Sequence, residues 1–227
     1  MKCAIMQPTY LPWAGYFNLI TKVDIFVFLD DAQFQKGSWH NRNQINNNGS
    51  RQLITVPVKH ERLAQKINET LFSSDIWRSK HIKTIQQNYA RHDHLIDIAD
   101  LKDTLMSDQS NNLADLNINL IKSIANLLSI ETIFLRSSEI GIGGIRSNRL
   151  IEILTHIGAT EYFSPVGAKQ YLIEDSFEDL SEVRLTFQDF QPRPYPQKNT
   201  SIFLSHLSIL DLIANVGKKE ALSYISF

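Results

Sequence analysis

Apolar and polar positions change rhythm several times along this chain, and each change predicts an element. The run Cys3-Ala4-Ile5-Met6 has no polar face, which predicts a first strand buried on both sides, as in a parallel sheet. Pro8 and Pro12 then bracket a rigid loop. A short helix over Tyr16 to Val23 follows, and after it a second apolar strand over Asp24 to Asp30, closed by Asp31. Strand, loop, helix and strand in so short a stretch predict a right-handed βαβ unit. The segment from Asp31 to Ser50 breaks the pattern: it is polar, rich in side-chain amides, and carries Gly37 and Gly49. It reads as one long loop, and loops of about twenty residues in compact domains are usually functional or disordered. Gln52 to Val58 predicts a strand that Pro57 ends or forces to an edge.

The middle of the chain changes to a helical period. Ile76, Trp77, Ile82, Ile85 and Tyr89 recur at helical spacing behind Ser74 or Asp75 as N-cap. A second helix is expected over His94 to Leu105. A third, near Asn111 to Leu128, sets Leu113, Leu116, Leu120, Ile124 and Leu127 on one face. Strands are expected again at Thr132–Leu135, Glu161–Phe163 and Val183–Phe187. Between the first two lies a helix from Arg146 to His156, stopped by Gly158. A proline-rich segment, Gln191 to Gln197, leads to a last helix over Leu207 to Val216. Strands interleaved with helices predict an α/β fold with a mostly parallel sheet, a βαβ start and an additional central helical layer. A single domain over 1–227 is expected, its central helical portion at about 74–128.

Composition narrows the classes. With 43% hydrophobic residues, 21% charged residues and a formal net charge of −1, the chain reads as an ordinary folded protein, not a disordered one. Near-neutral charge gives no general argument for nucleic acid or an anionic membrane as partner. One cysteine, Cys3, allows neither an intramolecular disulfide nor a cysteine-based zinc site. No run approaches the ~18 apolar residues of a membrane-spanning helix. The first apolar run is too short for a signal peptide, so a cytoplasmic location is expected. His92-x-His94 lacks the further ligands of a metal set, and no metal site is assigned.

The chemistry-bearing residues gather where strands end. In open α/β sheets ligands bind beyond the carboxyl ends of parallel strands. The first strand ends at Gln7 and the second at Asp30-Asp31. Gln7 could recognise a hydroxyl or amide bidentately; an aspartate could bind sugar hydroxyls, hold Mg²⁺, act as general base, or simply cap the strand end. We expect Asp31 to face the cleft as the base and Asp30 to orient loop amides such as those of Gln33 or Asn43. The loop also carries Trp39, His40 and Arg42. An aromatic ring, a guanidinium and several amides suit a sugar nucleotide, with His40 as a proton shuttle or merely a solvated ring. In Gly141–Arg149, the glycines Gly143 and Gly144 with Arg146 and Arg149 suggest a phosphate cradle at a helix start, or a flexible connection. This loop is neither a Walker A loop nor a dinucleotide fingerprint.

The residues Gln7-Pro8-x-Tyr10-Leu11-Pro12, Gly15-Tyr16-Phe17, Asp24, Asp30-Asp31-x-Gln33-Phe34, Trp39 and Asn41-Arg42-Asn43 together resemble the signature of the WbqC-like proteins. The resemblance continues through Val56-Pro57-Val58, the helix around Arg149, Gly158-Ala159-Thr160 with Tyr162, and Leu207 to Asp211. It implies a place in bacterial O-antigen or other surface-polysaccharide (lipopolysaccharide) biosynthesis, and it adds Tyr10 and Gln33 to the expected substrate contacts.

The leading expectation is therefore a transferase that adds an acyl or aminoacyl group to a nucleotide-linked amino sugar. Nucleotidyl transfer or adenylation is the second. Its usual His-x-Gly-His signature is replaced here by Pro12-Trp13-Ala14-Gly15-Tyr16. A sugar-nucleotide-binding protein without catalysis is the third. The expected partner is a nucleotide-sugar substrate, with neither nucleic acid nor membrane insertion. A homodimer is left open, and no motif names a cofactor.

Overall fold

The apolar runs of the sequence form the strands of a five-stranded, all-parallel sheet. The computed structural model describes residues 1–227, the side chain of residue 100 excepted. In chain order the elements are β1 (Lys2–Met6), α1 (Ala14–Thr21), β2 (Ile25–Phe28), β3 (Arg42–Asn47), β4 (Ser50–Thr55), α2 (Ile76–Tyr89), α3 (Ala99–Ser107) and α4 (Leu113–Leu127). They continue with β5 (Ile133–Arg136), α5 (Ser137–Ile140), α6 (Arg146–His156), β6 (Glu161–Ser164), α7 (Lys169–Glu174), α8 (Phe177–Leu180), β7 (Arg184–Phe187) and α9 (Ile209–Ile225).

The sheet order is β5-β2-β1-β6-β7, with β1 in the middle. Numbered within the sheet this is 3-2-1-4-5, the order of doubly wound nucleotide-binding folds, whose direction of winding reverses beside the first strand. Alternating residues of β1 and β2 serve two cores. Ala4, Phe26 and Phe28 join α1, α4 and α9 on one face. Cys3, Ile5, Ile25 and Val27 join α6, α7 and α8 on the other. Neither face is left to solvent, as the unbroken apolar runs require. The helical layer of α2, α3 and α4 is inserted between β2 and β5. No described helix is long and apolar enough to cross a membrane.

Two expectations need correction. Arg42 to Asn47 is not loop but β3, paired antiparallel with β4 from Arg42↔Thr55 to Asn47↔Ser50. Asn48 and Gly49 turn it with φ of 48° and 83°, the left-handed pair of a tight hairpin. The last helix does not end at Gly217. That residue leaves helical geometry (φ 81°, ψ 158°), and a second helical stretch carries α9 on to Ile225. A Cβ at Gly217 would lie 2.7 Å from the His94 ring, so the kink also admits a close neighbour.

Candidate functional site

The register of the sheet fixes which groups meet at its carboxyl edge. Met6 pairs with Phe28, and the Leu29 N–H donates to the Met6 carbonyl at 2.9 Å. Gln7 and Asp30-Asp31 therefore leave neighbouring strands at the same end. On the far side of β2, Phe28 pairs with Arg136 of β5, which brings Arg136, Ser137 and Ser138 beside Asp30.

Asp30 is fully buried and saturated. Its Oδ2 accepts from Arg136 Nε at 2.9 Å and from the Ser138 hydroxyl at 2.6 Å; its Oδ1 accepts from the Ser138 N–H at 3.0 Å and the Ser137 hydroxyl at 3.1 Å. Burial pushes this carboxyl up, but the Ser138 and Arg136 hydrogen bonds outweigh it and hold it below the usual range. Arg136 continues to Asp115 on α4 at 2.8 Å. Asp31 is gripped by Arg149 of α6, at 2.7 Å to Oδ1 and 2.6 Å to Oδ2, and lies 2.5 Å from the Ser137 hydroxyl. Both aspartates thus converge on Ser137, because β2 ends at Phe28 and the chain turns before either is reached. Asp30 does not orient Gln33 or Asn43 as expected. The parallel pairing of β2 with β5 supplies its partners instead.

The glycine loop is bound up with the same network. Arg149 Nε donates to the Ile142 carbonyl at 3.0 Å while its NH2 group holds Asp31. Gly144 has φ +105°, and a Cβ there would come within 3.3 Å of Arg149 Cβ. Gly143 is exposed, with open space where a Cβ would be. Arg146 turns the other way, to Glu174 and Asp175 at 3.0 Å each. The two guanidiniums suggested for a phosphate cradle are each engaged by carboxylates on different elements.

The remaining expected residues surround Gln7 and the chain from Trp39 to Asn43. Gln7 Oε1 is 3.0 Å from His40 Nε2, and the Gln35 N–H donates to His40 Nδ1 at 3.3 Å. His40 is 3% exposed, and burial pushes its imidazole down to about 4, so it is neutral at pH 7. Both ring nitrogens are hydrogen-bonded in this arrangement. Asn43 is structural in its contacts: its amide donates to the carbonyls of Tyr10 (3.1 Å) and Leu11 (2.7 Å), steadying the loop between the prolines where Leu11 has φ 43°. Tyr10 is fully buried, its hydroxyl 2.9 Å from His81 Nδ1. Gln33 is exposed and donates to the Leu63 carbonyl at 2.6 Å.

Arg42 differs from every other arginine at this edge. It has no hydrogen bond or ion pair among the described residues, and its Nε is buried without a partner. The guanidinium lies 6.0 Å from the Trp39 ring and beside Gly37, where a Cβ would sit 3.5 Å from its NH2. Trp39 is 51% exposed.

Several supporting residues were not foreseen. Asn117 of α4 is fully buried and donates to the Pro8 and His40 carbonyls at 3.1 and 2.8 Å, and the Tyr16 hydroxyl donates to the Gln7 carbonyl at 3.1 Å. An asparagine among Leu113, Leu116 and Leu120 on the apolar face of a helix was the readable sign of such a role. An apolar cavity of about 340 Å³ lies among α2, α3, α4 and α9, lined also by Leu11 of the loop after β1 but by none of the expected site residues. No cluster of His, Cys, Asp or Glu able to hold a metal ion is formed among the described residues.

The chain is 38% identical to "Uncharacterized protein Rv1507c" of Mycobacterium tuberculosis over 229 aligned positions, covering all of this chain and 98% of that protein. A model of the WbqC-like protein family matches residues 7–223, a span that takes in the strand-end residues, the hairpin and the glycine loop. With the match running nearly end to end, this chain belongs to the WbqC-like protein family.

Proposed function

We propose that this protein binds a nucleotide-linked amino sugar beyond the end of β1 and promotes transfer of an acyl or aminoacyl group to it, in bacterial O-antigen or related surface-polysaccharide synthesis. Arg42 carries the reading. A guanidinium with a buried Nε, no acceptor from its own chain and an exposed tryptophan beside it is suited to a phosphate next to a stacked ring. Gln7, half-buried at the same strand end, adds an amide for a polar group of the ligand. The carboxylates nearby are engaged in ion pairs, so this reading assigns the protein binding and orientation, not a strong general base. The sugar amine attacks the activated acyl carbon, the amide bond forms, the donor's leaving group departs with its electron pair, and the amine proton goes to solvent.

The strand order 3-2-1-4-5 favours a second reading, nucleotidyl transfer, since that order belongs to nucleotide-binding folds. The absence of histidines from Pro12–Tyr16 weighs against it, because imidazoles there would normally steady the transferring phosphate.

A thermal-shift screen of UDP-, dTDP-, GDP- and CDP-sugars, with ATP and acyl-CoA as separate arms, tests the choice. A ligand at a hundredfold excess over its Kd stabilises by about 2.7 kcal/mol. A sugar nucleotide that raises Tm, and gains acyl mass on incubation with a donor, supports the first reading. ATP as sole responder supports the second. No responder among the sugar nucleotides contradicts the first.

A further inference from the structure

We infer that His40 fixes the orientation of the Gln7 amide so that its NH2 group is the wholly unengaged face, and that the ligand atom it reads is an acceptor, a phosphoryl or carbonyl oxygen. A backbone N–H can only donate, and the Gln35 N–H is directed at His40 Nδ1 at 3.3 Å. Nδ1 must therefore present its lone pair, and the single proton of the neutral ring sits on Nε2. That Nε2–H lies 3.0 Å from Gln7, so the atom facing it has to be the acceptor, Oε1. The opposite flip of the amide would set two donors against each other. The orientation thus follows from an unambiguous backbone group, not from the shape of the amide.

With one lone pair of Oε1 engaged by His40, the Gln7 amide nitrogen is the group left without any partner among the described residues. It is not among the buried polar atoms that lack one. Both members of the pair are pinned: the Tyr16 hydroxyl holds the Gln7 carbonyl, and Asn117 holds the His40 carbonyl. Burial keeps His40 neutral down to about pH 4, so the arrangement holds across the physiological range. His40 is on this account a positioning residue, acting through Gln7. Arg42, two residues further on, also offers only donors. An edge whose unengaged side-chain groups are donors fits the phosphate and carbonyl oxygens of a nucleotide-linked ligand. This assignment of ligand rests on the function proposed above, whereas the tautomer does not.

The test has two arms. In the first, two-bond ¹H–¹⁵N correlation spectra of the ¹⁵N-histidine-labelled full chain report which nitrogen of His40 is protonated, without any ligand. The Nε2–H tautomer, unchanged between pH 7 and pH 5, is expected; the Nδ1–H tautomer or an imidazolium overturns the inference. In the second arm, inorganic pyrophosphate and UDP-N-acetylglucosamine are titrated into wild type, Gln7→Ala and Gln7→Glu. Alanine only removes the donors, while glutamate faces the ligand with an acceptor and a negative charge. Affinity should therefore fall about tenfold further in Gln7→Glu than in Gln7→Ala. Equal losses, or tighter binding by Gln7→Glu, overturn the acceptor assignment. If neither compound binds wild type, the ligand assignment falls while the first arm still decides the tautomer. If no sugar nucleotide of the wider screen binds either, the proposed function falls with it.

Discussion

Beyond β2 and β5, Asp30 and Asp31 are enclosed by Arg136, Arg149, Ser137 and Ser138. Beyond β1, the amide of Gln7 and the guanidinium of Arg42 keep hydrogen-bonding capacity that no described residue uses. The two regions lie at the same edge of one sheet, yet they make opposite use of polar groups. In the first, each carboxylate ties separate elements together: Asp30 joins β2 to β5, and Asp31 joins the end of β2 to α6. In the second, the chain holds the groups in place from behind, through His40, Tyr16 and Trp39, and leaves their front free. Acidic residues at a strand end look catalytic in a sequence whether or not they are free. Their partners decide how free they are, and here each carboxylate is engaged by an arginine.

If that contrast is right, the largest loss of stability should come from Asp30→Ala. It would strip Arg136 of its buried partner and leave the Ser138 N–H and hydroxyl unmatched. Breaking a buried ion pair by removing one member typically costs about 3–5 kcal/mol. Urea unfolding measures it, and a loss below about 1 kcal/mol would deny the network its structural role.

Next in size is a pH effect from the histidines behind the open region. Burial pushes His40 and His81 down to about 4 each, from an ordinary value near 6.5. Between pH 6.5 and 4 the unfolded chain binds protons that the folded chain refuses, so stability falls as pH falls through that window and levels off below it. Each ring should contribute on the order of 3 kcal/mol. Urea midpoints at pH 7, 5.5 and 4 should follow this slope, and His40→Gln should make it shallower; an unchanged slope would mean His40 is not held neutral.

The smallest effect is expected at Arg146. Its pairs with Glu174 and Asp175 are half exposed, and such pairs are worth about 0–1 kcal/mol. Arg146→Ala should leave both stability and sugar-nucleotide binding near wild type. A marked loss of binding would return the glycine loop to the list of ligand contacts.

The strands were legible because apolar runs too short for helices and too continuous for solvent-facing strands have few other uses. The helix Arg146–His156 was legible to the residue. The hairpin was not: Arg42-Asn43-Gln44-Ile45-Asn46-Asn47 lacks the apolar alternation of a strand, although Asn48-Gly49 was its turn signal. At the site, the positions of Gln7, Asp30 and Asp31 could be read as strand ends. What they do could not be read, since Arg136 and Arg149 stand 106 and 118 residues away from the aspartates they hold. Only the sheet order and register bring them together. The freedom of Arg42 was hidden for the same reason: whether a cation is paired is a property of the whole fold.

Arg42→Ala, followed by thermal unfolding with and without the responding sugar nucleotide, separates the two roles most directly. Without ligand, stability should stay within about 1 kcal/mol of wild type, the order of a cation–π contact on Trp39. With ligand, affinity should drop by a factor of about 10 to 150, corresponding to roughly 1.5–3 kcal/mol for a lost charged hydrogen bond. A variant that is destabilised on its own, or that binds the sugar nucleotide as tightly as wild type, would contradict the division of this edge into a structural half and a recognition half.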